Sequence, residues 1–379
     1  MNIYLDNAAT TPMHPEVISV MTQMMQEEYG NPSSTHAHGR IVRTHIEEAR
    51  KKIAGYLNCT PGEIFFTSGG TEADNMAIRK SISDCGVKHI ISSVIEHHAV
   101  SHTIEELVKQ GLVESHYVNL LPNGHVNLNH LEELLQQYPK SLVSLMHANN
   151  EIGNLLDIQK VGELCHQYEA LFHCDTVQTM GHLPFDLNKT NVTFLACGAH
   201  KFNGPKGVGF IYINHRTKIS SFLTGGSQER NMRGGTENVY GIVGMAKALS
   251  LAYDHLPEEQ AQIQGVKTYM IEQLKQHIPD VSFNGDATES SLYTVLNVSF
   301  PPSPFAEMLL FKLDIAGISA SGGSACSSGS SIGSHVLAAL NPNPLRPNVR
   351  FSFGRQNTKE EIDYVVGKLK EMFNSVQTA

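Results

Sequence analysis

A lysine, an aspartate and a glycine-rich turn define the first chemistry this sequence could perform. Lys201 stands in "GAHKFNGPKG", just after the apolar run "NVTFLAC", and Asp175 ends the earlier run "ALFHCD". A lysine in a pocket that depresses its basicity can form a Schiff base, and pyridoxal phosphate also requires an acid beside its ring nitrogen and a seat for its phosphate. The stretch "FFTSGGTEADNMAI" offers that seat as a strand, a turn and a helix start. Gly69 and Gly70 allow close backbone approach, the helix N-terminus presents N–H groups, and the Thr71 hydroxyl can donate. Thr71 and Asp74 have the spacing of a capping box. The turn is neither a GxxxxGK[ST] loop nor a GxGxxG fingerprint. Taken alone, each feature has a plain structural reading, a helix cap or an exposed lysine; the three together favour the cofactor.

Two further segments complete the set. In "SSVIEHHAV" one histidine is expected to stack on the cofactor ring and handle protons, with the other solvated. In "SGGSACSSGS" the thiol of Cys326 lies among Gly and Ser. A structural cysteine is a small buried hydrophobe, whereas a reactive one needs access to its target, and Gly and Ser supply the mobility to carry it. The other five cysteines fall in or beside strand and helix patterns and are expected to be inert, Cys174 and Cys197 packed into the sheet.

These groups need a scaffold that brings strand ends together. Six short apolar runs, "EIFFTS", "KHIISSV", "SLVSLMHA", "ALFHCD", "NVTFLAC" and "VGFIYI", alternate with helical patterns over about residues 60–215. This predicts βα units and an α/β fold with a mostly parallel sheet, the ligand lying beyond the carboxyl ends of the strands. One strand-helix-strand step is expected between Asp175 and Lys201. After a long helix in "GGTENVYGIVGMAKALSLAYDHL" come "TVLNVSF", a helix near 305–313, the Cys326 segment and "VRFSFGR". A closing helix then puts Ile362, Val365, Val366, Leu369, Met372 and Phe373 on one face. The expected division is a large domain over 15–258 and a smaller α+β domain made of 1–14 and 259–379.

Composition narrows the classes. The chain has 379 residues, 41% hydrophobic and 17% charged, with no run approaching a membrane span, and a net charge of −9 without a basic block. A membrane protein and a nucleic-acid binder are therefore not expected. The start "MNIYLDNAATTP" lacks a secretory pattern, so a cytoplasmic location is expected. Six cysteines form no CxxC pair, and no ligand set closes around the histidine-dense "HAHGR" and "EHHAV", so neither a disulfide framework nor a metal site is expected.

Ten segments in order, "YLDNAATTP", "GNPSSTHAHGR", "FTSGGTEADNMAI", "EHHAV", "HANNEIG", "DTVQ", "AHKFNGPKGVGF", "RGGTENVYGIVG", "SGGSACSSGS" and "VRFSFGR", resemble the cysteine desulfurases of the NifS and IscS type. These are pyridoxal-phosphate enzymes of class-V aminotransferase type with the type I fold. The resemblance runs from about residue 3 to 370. It implies conversion of L-cysteine to L-alanine with the sulfur left on Cys326 as a persulfide, for iron–sulfur cluster assembly or tRNA thiolation. It assigns Lys201 to the Schiff base, Asp175 to the pyridine nitrogen, Gln178 to the phenolic oxygen and His97 to the ring face. Gly70, Thr71 and His200 would hold the phosphate, joined by Thr236 from the partner of a homodimer. Asn150 and Arg350 would bind the substrate carboxylate. Gly198 departs from the serine common at this position, which puts one phosphate donor in doubt, and Gly322 likewise replaces a common serine. The competing readings are a selenocysteine lyase using the same crevice, a catalytically silent sulfur-carrier binding protein, and a phosphate-binding sugar or nucleotide protein.

Overall fold

The computed structural model describes residues 2–322, 333–340, 343 and 345–377. Cys326 and the segment around it lie outside the described residues. The strands are β1 (Ile3–Tyr4), β2 (Ile64–Thr67), β3 (His89–Ser92), β4 (Glu114–Tyr117), β5 (Leu142–Met146), β6 (Leu171–Asp175), β7 (Phe194–Gly198), β8 (Gly209–Ile213), β9 (Ser282–Asn284), β10 (Val295–Ser299), β11 (Ile318–Ser319) and β12 (Asn348–Ser352). The helices are α1 (Pro15–Glu27), α2 (Ala37–Tyr56), α3 (Gly70–Ser83), α4 (His98–Lys109), α5 (Leu128–Gln137), α6 (Ile158–Gln167), the one-turn α7 (Gln228–Asn231), α8 (Val239–Asp254), α9 (Leu256–His277), α10 (Leu309–Ile315), α11 (His335–Ala339) and α12 (Lys359–Gln377).

All six apolar runs form strands of one sheet, in the order β2-β8-β7-β6-β5-β3-β4. β3 to β7 pair in parallel and β8 runs antiparallel to both neighbours, so the sheet is mixed and mostly parallel. Central strands β5, β7 and β8 are buried along their whole length because helices cover both faces. The polar strand β4, "ESHY", is the one the apolar pattern does not show. It is an edge strand with a single neighbour, so nothing requires it to be hydrophobic. The step between Asp175 and Lys201 also differs from expectation: residues 176–193 form turns rather than a helix. Gly181 at positive φ and Pro184 interrupt any helix there.

Two main cores result. One packs α1, α2, α6 and α8 on the sheet through residues such as Ile46, Val161, Phe172 and Leu249. The other joins Ile3 and Leu5 to α9, the sheet β12-β10-β9 and α12. Ile362, Val365, Val366, Leu369 and Phe373 are buried in it, with Met372 packed at its side, as the 3.6-residue periodicity requires.

A strap of N-terminal residues ties the two parts together. β1 pairs with β11, the Asn7 carboxamide donates to the Ser352 carbonyl (2.8 Å), and the Thr11 N–H and hydroxyl both donate to the His200 carbonyl (3.0 and 2.9 Å). No helix among the described residues is long and apolar enough to cross a membrane.

Candidate active site

Gly70, Thr71, His97, Asn150, Asp175, Gln178, His200, Lys201 and Arg350 line one cavity of about 260 Å³, together with Ala8, Ala9 and Asp74. They arrive from seven places: the strap, the start of α3, the cap of α4, the ends of β5, β6 and β7, and β12. The cavity lies beyond the carboxyl ends of the parallel strands, where an open α/β sheet leaves room between diverging connections.

Lys201 ends a 3₁₀ turn, Ala199–Lys201, directly after β7. Its Nζ donates to the carbonyls of Ala8 (2.5 Å) and Ala9 (2.9 Å), so the strap sets where the amine points. The His182 Nε2–H holds the Lys201 carbonyl (3.1 Å) while its Nδ1 accepts from the Tyr293 hydroxyl (3.0 Å). These bonds fix the backbone under the lysine from the other side.

Asp175 is buried at the end of β6. Its Oδ1 accepts the Val177 N–H (2.9 Å), its one side-chain hydrogen bond among the described residues. Burial pushes its carboxyl up to about 6, against the opposing pull of the Val177 N–H and the Lys201 charge. A cationic N–H donor arriving in the cavity would relieve that penalty. Behind it stand two further buried carboxyls. Asp74 is pushed up by burial and then by the Asp175 charge, and Glu96 is pushed up to about 8, chiefly by burial. Burial thus favours the neutral form at both Asp74 and Glu96. Asp74 Oδ1 lies 3.2 Å from His173 Nε2, and His173 Nδ1 lies 2.9 Å from Ser144 Oγ. Burial drives His173 down to about 3, so its ring is uncharged, and the Asp74 Oδ1 and His173 Nε2 atoms are buried side by side without forming a hydrogen bond. Asp74 is thus not the cap its spacing suggests. Gly69 is the N-cap of α3, without a side-chain bond, and Asp74 turns inward one helical turn later.

That uncapped end is the anion seat. Gly69 has φ 153° and ψ −175°, a region open essentially to glycine alone, and a Cβ on Gly70 would come within 2.5 Å of Val177 Cγ2. The first-turn N–H groups lack intrahelical acceptors and face the cavity with Thr71 and His200. The His200 Nδ1 pairs with Thr10 Oγ1 (3.2 Å), and burial followed by Lys201 and Lys206 drives its ring down to about 4. The imidazole therefore serves an anion as a neutral group. At Gly198 a Cβ would meet only ordinary contacts, 3.4 Å from the Gly70 nitrogen and 3.6 Å from His200 Cδ2. Gly198→Ser is accordingly expected to fit and to add a hydroxyl donor, lowering the dissociation constant for pyridoxal phosphate by about three- to tenfold in reconstitution titrations. Unchanged or weaker binding would show the hydroxyl spent on the Gly70 N–H instead.

His97 caps α4, its Nδ1 accepting the Ala99 N–H (3.1 Å), which leaves the proton on Nε2. Burial and then Lys201 push this ring down to about 4. His98, expected to be solvated, is instead packed between His102 (ring centroids 4.5 Å apart) and His335 (4.7 Å), with a buried Nδ1. The fold brings α11 against α4, which local sequence cannot reveal.

Arg350 is almost fully buried on β12. Its Nη2 donates to Asp6 Oδ1 (2.7 Å) and its Nη1 to the Asn150 carbonyl (2.9 Å), while Nε is buried without a partner. Two of five N–H groups are thus used, and the remainder can bind a carboxylate. Asp6 is a site residue missed at the sequence level, although it stands inside the motif "YLDNAATTP". The signal was present, but its partner lies at the other end of the chain. Gln178 Nε2 is held by the Ala8 carbonyl (3.0 Å). Thr236 lies apart from this cavity, in a second pocket with Arg233 and Glu237.

The described residues flanking Cys326 are anchored at the cavity wall. Ser321 exchanges backbone hydrogen bonds with Arg350 (2.7 and 3.2 Å), Ser334 Oγ donates to Glu151 Oε2 (2.5 Å), and His335 Nε2 donates to the Glu96 carbonyl (2.9 Å). Among the other thiols, Cys165, Cys174 and Cys197 are buried and burial raises each of them, while Cys59 is partly buried and Cys85 exposed.

A lysine after β7, a buried carboxylate at the end of β6 and an uncapped helix facing both define a class-V aminotransferase type of site, and residues 3–365 match the aminotransferase class-V family. The chain is 43% identical to the cysteine desulfurase IscS of Dictyoglomus turgidum, over 99% of this chain and 95% of that one. It is 42% identical to the putative cysteine desulfurase IscS 1 of Bacillus subtilis, over 95% of each. Among solved structures, a NifS-like protein shares 35% identity with a TM-score of 0.91, covering 99% of this chain and 100% of that one. The chain belongs to the cysteine desulfurases of the class-V aminotransferase family.

Proposed function

We propose that the chain works as a cytoplasmic homodimer that takes L-cysteine, leaves its sulfur on Cys326 and releases L-alanine. The observation that carries this reading is the convergence of Lys201, Asp175, Arg350 and the N-terminus of α3 on one cavity. The residues fit pyridoxal phosphate on two counts: a buried carboxylate whose burial penalty the Val177 N–H and the Lys201 charge offset only in part, and an uncapped helix end with glycine where a Cβ would clash. Asp175 would hold the ring nitrogen, Gln178 the phenolic oxygen, His97 the ring face, and Gly70, Thr71 and His200 the phosphate, with Thr236 supplied by the partner. When bound, the cofactor provides an electron sink for a carbanion at the substrate Cα.

The chain's own groups do the rest. The free N–H groups of Arg350, with the Asn150 carboxamide, fix the substrate carboxylate and so orient Cα toward Lys201. The Lys201 amine, placed by the Ala8 and Ala9 carbonyls, takes the Cα proton. The neutral His97 ring keeps its proton on Nε2 until a group in the cavity needs one. Cys326 as thiolate accepts the substrate sulfur: its S–S bond forms as the substrate C–S bond breaks, and the carbon skeleton leaves as alanine after gaining protons at Cα and Cβ. A solved relative described as SspA in complex with cysteine, 28% identical with a TM-score of 0.83 over 94% of this chain, supports an amino-acid thiol as the ligand. The acceptor would be an iron–sulfur scaffold or a tRNA-thiolation protein, and the small domain of residues 1–14 and 259–379 would present the thiol to it.

Mass analysis of Cys326 peptides after incubation with L-cysteine, without reductant, tests the proposal. One added sulfur on Cys326 alone, together with alanine, is the expected result, and Cys326→Ser should release almost none. Sulfur on another cysteine, or full alanine output from Cys326→Ser, would remove the carrier assignment.

A further inference from the structure

On the far edge of the large sheet, three side chains converge that take no part in the cavity. β3 and β4 pair in parallel with His89 opposite Glu114 and Ile91 opposite His116. The two-residue period of a strand puts Glu114 and His116 on the same face. His89 Nδ1 lies 3.2 Å from His116 Nε2 and 3.6 Å from Glu114 Oε2, and all three ligand atoms fall within 4.8 Å of one another. Among the described residues this is the one such group of three.

We propose that His89, Glu114 and His116 bind a divalent transition-metal ion of the zinc type, with solvent in the fourth position. The spacing is the first argument. Zinc bonds to imidazole nitrogen and carboxylate oxygen measure about 2.0–2.2 Å, so adjacent ligand atoms of a tetrahedron stand about 3.3–3.6 Å apart. Both separations from His89 Nδ1 match that edge to within 0.1–0.2 Å, and a modest turn of the exposed Glu114 side chain closes the third. The donor set is the second. Two imidazoles and one carboxylate suit zinc, nickel or copper and leave one position open. Without metal, the facing nitrogens can share a single N–H···N bond, which a cation would replace with two stronger contacts.

The rings are also held in place. Tyr138, at the end of α5, stacks on His116 (centroids 3.7 Å apart, planes 14° apart) and lies 4.8 Å from His89. Packing of this kind orients ligands before the metal arrives and lowers the ordering cost of binding. A bound ion would clip the polar edge strand β4 to β3, covering an edge that hydrogen bonds secure on one side only.

The experiment is calorimetric titration of the holoenzyme with zinc chloride, on the native chain and on His89→Gln, His116→Gln and Cys326→Ser. One equivalent per chain is expected in the native protein and in Cys326→Ser. Each histidine variant should weaken it at least tenfold, since loss of a ligand costs no less than the 10–100-fold typical of losing an outer partner. Both histidines are partly exposed on an edge, so the two substitutions check each other against misfolding. Zinc binding that is unchanged in both histidine variants, or that disappears in Cys326→Ser, would overturn the site.

Discussion

Lys201→Ala should fold, keep the sheet intact and release alanine from L-cysteine at least about a thousandfold more slowly than the native enzyme. The loss is large because the amine has no stand-in. Lys206 lies in the turn before β8 and does not line the cavity, and the two histidines that do, His97 and His200, are both pushed down to about 4 and stay neutral. Truncation leaves the carbonyls of Ala8 and Ala9 without their lysine donor, but water entering the cavity can satisfy them, so the fold is not expected to fail. Two measurements separate a chemical role from a structural one. The melting temperature should change little, and a small primary amine added to the variant should restore a measurable part of the turnover. Normal turnover in Lys201→Ala would remove the assignment, whereas lost turnover accompanied by a collapsed melting temperature would point to a structural role.

Asp175→Asn should abolish most cofactor affinity while leaving the cofactor-free protein at least as stable as the native chain at neutral pH. The two effects share one cause. Burial pushes the Asp175 carboxyl up to about 6 in the folded protein against an ordinary value of 3.8, a rise that the Val177 N–H and the Lys201 charge offset only in part. A raised folded value means that the native state holds its proton longer than the unfolded chain. The stability this group contributes is therefore full below about pH 4 and lost as pH rises through 6, on the order of 2–3 kcal/mol in the cofactor-free state. Asparagine removes the charge and hence the penalty, so its advantage in melting temperature should grow from pH 4.5 to 7 and then level off. On the proposed reading the same carboxylate would bind a protonated ring nitrogen, so cofactor affinity should fall as pH drops below about 6. A variant destabilised equally at every pH would indicate that Asp175 is a packing residue rather than a buried charge awaiting its partner.

The groups that line the cavity were legible in the sequence where each stands in a local pattern. Asp175 ends one apolar run, Lys201 follows another, and the glycine turn at 69–70 opens a helix. Strand runs declare themselves by hydrophobicity when both faces are buried, which is why the five inner strands and the buried edge strand β2 could be read and the polar edge strand β4 could not. Side-chain direction was less legible. Asp74 has the spacing of a cap and turns inward instead, because a backbone anion seat needs that helix end open. His98 follows the site histidine and packs against α11, a neighbour more than two hundred residues away.

What the tertiary structure alone decided is the pairing of groups distant in sequence. The strap of residues 3–11 places the Ala8 and Ala9 carbonyls on Lys201 and Asp6 on Arg350, and neither partner leaves a mark near the other in the chain. The same holds for His89, Glu114 and His116, which no local spacing joins but a parallel strand register does. Sequence thus determined which chemistry this protein carries, since reactive groups are specified by residue type and by the ends of the elements that bear them. Burial and register decided how those groups are charged, aimed and shared, because a proton's preference and a ligand's reach depend on atoms that only folding brings within a few ångströms.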